Sequence, residues 1–102
     1  MKLTTILLAA LSAKADIVLT WQHPDTTAMY IVQRAAGACS PTSAFAPVGR
    51  VELKTFHDAP TTGTYCYRVI AVVGGVESAP SDPISHTVAP PAPTGLKIAA
   101  AP

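Results

Sequence analysis

The chain has 102 residues, of which 49% are apolar and only 13% charged, and its formal net charge is +1. That length makes one small domain able to bury a core, and the apolar content excludes an intrinsically disordered chain. The near-neutral charge leaves no electrostatic footprint for nucleic acid or an anionic membrane surface.

Met1-Lys2 precedes the uncharged run Leu3 to Ser12, which is followed by Ala13-Lys14-Ala15. A basic start, an apolar centre and an A-x-A ending make a short secretory signal pattern, with cleavage before Asp16. The run is too short to span a bilayer. A second reading stands beside this one. Residues 4–12 align with residues 94–102 through identical Thr4/Thr94, Ala9/Ala99 and Ala10/Ala100 and apolar Ile6/Leu96 and Leu8/Ile98. On that reading residues 4–12 are a retained first β-strand.

From Asp16 the chain reads as short strands and turns. Asp16 to Gln22 alternates, with Ile17, Leu19 and the lone Trp21 on one face. His23-Pro24-Asp25-Thr26-Thr27 is a turn. Ala28 to Ala35 is a strand with Tyr30 and Val32 inward and Gln33 outward. Ala36 to Thr42 is a loop. Phe45 to Val51 is an edge strand, because Pro47 has no N–H to give an inner ladder. Leu53 to Phe56 is a strand ended by His57-Asp58-Ala59-Pro60. Thr64 to Val73 is the central strand, aromatic and β-branched. Its odd positions Tyr65, Tyr67, Val69 and Ala71 face the core, and Cys66, Arg68, Ile70 and Val72 face away. Gly74-Gly75 is a tight turn, Glu77 to Pro83 is broken by proline, and Ile84 to Val88 is the last strand. Ala89-Pro90-Pro91-Ala92-Pro93 is a stiff extended linker. Six or seven strands with turns every eight to twelve residues make an all-β, two-sheet sandwich.

Several stretches resemble a fibronectin type III domain: Leu19-Thr20-Trp21 as strand B, Tyr30-Ile31-Val32-Gln33-Arg34 as strand C, Gly63 to Val72 as strand F, and Gly75 to Ser81 before strand G. The resemblance covers residues 16–90. It implies an immunoglobulin-like sandwich of about seven strands anchored by Trp21, Tyr30, Val32, Tyr65 and Val69. It places Tyr65 in a tyrosine corner and implies binding, spacing or structural roles rather than catalysis. No Arg-Gly-Asp sequence is present. In this fold strands C and F are antiparallel neighbours. The loop after C, with Cys39, therefore meets the start of F, with Cys66, on the face away from the core. A Cys39–Cys66 disulfide is the expected state, with free thiols as the alternative.

Residues 91–102 resemble the linker and strand A that open such a domain, placed at the wrong end of this one. If residues 1–15 are removed, the mature chain lacks strand A and has an open sheet edge. Leu96, Lys97 and Ile98 would then complete the sandwich of a neighbouring copy. His23, His57 and His86 have no metal-ligand spacing, and two cysteines alone make no metal centre. The acidic residues show no pairing suited to acid–base work, and no cofactor motif is present. The expectation is a non-catalytic structural or adhesion module, extracellular or at the cell surface. Its partners are copies of itself or a larger surface assembly, without nucleic acid or a membrane span. Two alternatives remain: a virion accessory or head-fibre protein with residues 4–12 as its own strand A, and a spacer module of a secreted polysaccharide-degrading enzyme.

Overall fold

A computed structural model describes residues 16–100. The reading of residues 1–15 as a leader or a first strand lies outside the described residues.

Seven strands follow one another: β1 (Ile17–Thr20), β2 (Met29–Ala36), β3 (Ala46–Val51), β4 (Thr55–Asp58), β5 (Gly63–Val73), β6 (Val76–Glu77) and β7 (Ile84–Val88). They form two antiparallel sheets. One is the β1–β4 pair. The other runs β3-β2-β5-β6, with β7 also on β5. The expected central strand is β5, flanked by β2 on one side and by β6 and β7 on the other. Gly74 and Gly75 both have positive φ, so a two-residue turn joins β5 to β6 with the strand twist preserved.

Proline sets the edges. β3 is an edge strand, and its ladder to β2 slips at Val32/Gln33, opposite the stretch that holds Pro47. On the far side, Pro80 and Pro83 interrupt the strand between β6 and β7. Serine fills the gap in the ladder. Ser78 and Ser81 donate their N–H groups to Ala71 and Val69 carbonyls at 2.8 Å, and their Oγ atoms accept from the Ala71 and Val69 N–H groups at 2.9 Å. The backbone of β5 thus stays satisfied beside a stretch that cannot form a regular strand.

Two core clusters fill the sandwich. Tyr30, Ala28 and Ala71 form one, with Trp21, Val51, Val69 and Val73 against it. Ile17, Tyr67 and Val88 form the other, with Leu19 and Tyr65. Gly49 sits where a Cβ would overlap the Phe56 ring, so glycine lets a side chain of the small sheet lie directly on β3.

Two expectations need correction. β4 runs two residues beyond Phe56, through His57 and Asp58. Its pairing with Val18 and Ile17 holds those residues extended where local sequence signals a stop. The outward face of β5 is also not exposed: Cys66 is fully buried and Ile70 is 7% exposed. Alternation orients a side chain, but burial depends on what lies over the sheet. Here the loop carrying Cys39 covers Cys66. Ile70 lies opposite Ile31, which is flanked by Arg50 on β3.

Candidate functional site

Cys39 and Cys66 are joined in a disulfide, with a Cα–Cα separation of 4.9 Å. Cys66 is the cross-strand partner of Ala35, on the face opposite Tyr65 and Tyr67. The loop is tied down at two further points. Gly37 N–H donates to the Thr64 carbonyl at 2.7 Å, and Cys39 N–H donates to Ser85 Oγ at 2.9 Å. On the same face the Arg68 guanidinium lies 4.0 Å over the Phe45 ring, and its Nε donates to Gln33 Oε1 at 2.6 Å.

The two sheets are joined through one carboxylate. Asp58, at the end of β4, accepts from Arg34 of β2 at 2.8 Å and from the Tyr67 hydroxyl of β5 at 2.6 Å. Arg34 alternates in phase with Tyr30 and Val32, so it points into the sandwich and needs this partner. Its guanidinium lies 5.2 Å over the Tyr65 ring, and the Tyr65 hydroxyl donates to the Thr61 carbonyl at 2.8 Å. The Asp58 node was not legible in sequence, because its three members lie on three strands of two sheets. The alternation of β2 placed Arg34 inward and was the one signal of it.

Burial, and then the hydrogen bond to Asp58, push the Tyr67 hydroxyl well above its ordinary titration range. The unfolded phenol ionises near about 10. Above that pH the folded state holds the extra proton, so stability falls as pH rises. In urea titrations between about pH 9 and 11, the wild type loses about 1 kcal/mol more than Tyr67→Phe. Equal pH slopes would place the effect elsewhere.

Trp21 and Tyr30 meet edge to face, with ring centroids 5.3 Å apart. Tyr30 and Val32 are buried, whereas Trp21, Tyr65 and Val69 are half-buried. For Trp21 and Val69 the half-burial has a structural cause. Along the side of the sandwich between β1 and residues 78–86 runs an open cleft. One part, about 310 Å³, lies between Ile17–Leu19 and Ile84–His86. A second part shares Leu19, Tyr67 and Ile84 with it and continues to Trp21 and Ser81. A third, about 380 Å³, ends at His23 and Tyr30. Among the described residues, Trp21 Nε1 and the Tyr30 hydroxyl are buried without a hydrogen-bond partner, and both residues line this last part.

The tail beyond Val88 forms no strand through residue 100. Leu96 is 98% exposed and Ile98 83% exposed, with Lys97 exposed between them. The structure therefore brings Cys39 to Cys66 and gathers the expected core residues. Leu96, Lys97 and Ile98 stand apart from both.

Among the described residues no three His, Cys, Asp or Glu side chains cluster as metal ligands, and no helix is long and apolar enough to cross a membrane. His57 is 3.3 Å from Asp16, and both are exposed.

No family model matches the sequence, and no curated protein matches it significantly. Among solved structures, the chain is similar to the fibronectin type-III domain of human fibronectin type III domain containing protein 3. The TM-score is 0.61 at 21% identity, with 78% of each chain covered. The fold is a fibronectin type III-like β-sandwich of two sheets.

Proposed function

We propose that this chain is a non-catalytic structural or adhesive module outside the cell, and that it assembles with copies of itself by donating its C-terminal strand. The carrying observation is the exposed alternating segment Leu96-Lys97-Ile98, held beyond a proline-rich linker. An extended segment with alternating apolar side chains has the pattern that strand addition uses, main-chain hydrogen bonds giving affinity and alternate side chains filling pockets. Export is supported by the leader-like residues 1–15 and by the Cys39–Cys66 disulfide, which persists in oxidising compartments. A non-catalytic role fits a fold that commonly serves protein contacts, and the Asp58 node, whose partners are Arg34 and Tyr67, fits cross-linking of the sheets.

Sedimentation velocity of the secreted chain tests this reading. The wild type is expected to form concentration-dependent oligomers, and Leu96→Glu is expected to weaken their association about 30- to 100-fold. Leu96 is almost wholly exposed, so the substitution leaves the domain itself undisturbed. A wild type that is monomeric at every concentration, or Leu96→Glu oligomers of unchanged strength, would remove strand donation.

A further inference from the structure

The geometry points to the acceptor: we infer that the cleft between β1 and β7 receives the Gly95–Ala100 segment of a second copy as a third strand on the open edge of β1. This rests on the strand-donation reading and adds the place where the strand lands.

Two independent observations locate the site. The first is a side chain that faces inward with no described strand over it. Ile84 is the cross-strand partner of Tyr67, so both point to the same side of the sheet. Tyr67 is 1% exposed, yet Ile84 is 62% exposed. The small sheet is too narrow to cover it. β1 reaches Val88, which packs with Ile17, and stops short of Ile84. One more strand beside β1 would lie over Ile84 and His86.

The second is the backbone of β1. Trp21 N–H bonds the Lys54 carbonyl, one step beyond the Thr20–Thr55 pair. In an antiparallel ladder alternate residues aim their N–H and C=O at the same neighbour. Trp21, Leu19 and Ile17 therefore face β4, and Val18 and Thr20 face the other way. No described strand lies on that side.

The occupant follows from the tail's own chemistry and reach. Leu96 and Ile98 share a face and Lys97 takes the other, which puts two apolar side chains on Ile84 and Tyr67 and the ammonium in water. The tail's own domain is out of reach for antiparallel pairing. The chain leaves β7 at Val88, at the Ile17 end of the cleft. An antiparallel strand must begin at the Trp21 end, roughly 13 Å away. The six residues 89–94 give about 22 Å of extended chain from Val88 to Gly95, whereas the path takes about 13 Å along the cleft and about 10 Å across to the small sheet before its two reversals, and three of the six are proline. A second copy meets no such limit. Each copy then gives a tail and takes one, a head-to-tail contact that does not close on itself and so extends into a filament.

The test uses two single-site variants of the full secreted chain. Ile84→Glu blocks the cleft and keeps the tail, and Leu96→Glu keeps the cleft and spoils the tail. Both residues are exposed in the isolated domain, and far-UV circular dichroism checks that each variant folds. By sedimentation velocity, at concentrations where the wild type is assembled, each variant alone is expected to sediment as monomer, and their equimolar mixture is expected to form a one-to-one dimer and nothing larger. Hydrogen exchange supplies a second readout. The Val18 and Thr20 amides are expected to be at least 10-fold better protected in the wild-type assembly than in Leu96→Glu.

If Ile84→Glu still assembles while Leu96→Glu does not, strand donation stands and the cleft is the wrong acceptor. If Leu96→Glu assembles as strongly as the wild type, the tail is not the occupant and both readings fall. Protection of Val18 and Thr20 in a monomeric wild type also overturns the inference, because a segment of the same chain then fills the cleft.

Discussion

Replacing Cys39 and Cys66 together by alanine lowers the unfolding free energy by about 3–4 kcal/mol on the chain-entropy account of a cross-link. The bond joins residues 27 apart in sequence, so its loss frees a loop of about 28 residues in the unfolded chain. The effect is large relative to what this domain has. Small domains are stable by only about 5–15 kcal/mol, and the core here is split into two small clusters. A loss of that size corresponds to roughly 12–30 °C in Tm for a domain of this length. Urea unfolding of the double variant beside the wild type measures it. A difference below about 1 kcal/mol would mean that Gly37 and Cys39, through their bonds to Thr64 and Ser85, hold the loop without the cross-link. The double variant is the proper comparison, because a single substitution leaves a free thiol able to pair between chains.

Asp58→Ala is expected to cost about 3 kcal/mol, close to the disulfide in size but different in kind. The carboxylate is 13% exposed and the Arg34 side chain 30% exposed. Removing Asp58 leaves the guanidinium inside the sandwich without a counter-charge and leaves the Tyr67 hydroxyl, on a residue 1% exposed, without an acceptor. The partial exposure of Arg34 is why the expected cost lies at the lower end for a buried pair. Asp58→Asn keeps an acceptor for Tyr67 and loses only the charge, so about half of the effect is expected to return. A double-mutant cycle with Arg34→Met measures the coupling, expected at about 1–2 kcal/mol. Coupling near zero would mean that the pair is solvated in the native state, and that the stability of Asp58→Ala reflects Tyr67 alone.

Both results bear on how a sandwich with a two-stranded second sheet stays together. One cross-link fastens the loop over the outer face of β5, and one carboxylate ties β4 to β2 and β5 across the interior. Tyr67 belongs to both the Asp58 node and the cleft lining, but the disulfide and the Arg34–Asp58 pair lie outside the cleft. The assembly variants Ile84→Glu and Leu96→Glu therefore change association without removing either support.

The strand order along the chain, the edge position of β3, the glycine turn after β5 and the inward placement of Tyr30 and Val32 follow from local chemistry. Alternation, a missing proline N–H and a glycine pair act within a few residues, so they are legible in a string of letters. The alternating Leu96-Lys97-Ile98 tail is legible for the same reason. Tertiary structure alone decided three things. It extended β4 through His57 and Asp58, because the partner that holds them is β1, some forty residues earlier. It buried Cys66 and Ile70 on the face that alternation marks as outward, because burial depends on which loop folds over a sheet. It also joined Arg34, Asp58 and Tyr67 and, among the described residues, left Ile84 exposed beside β1, because contact between sheets depends on how wide each sheet is, and no single strand's sequence encodes that width.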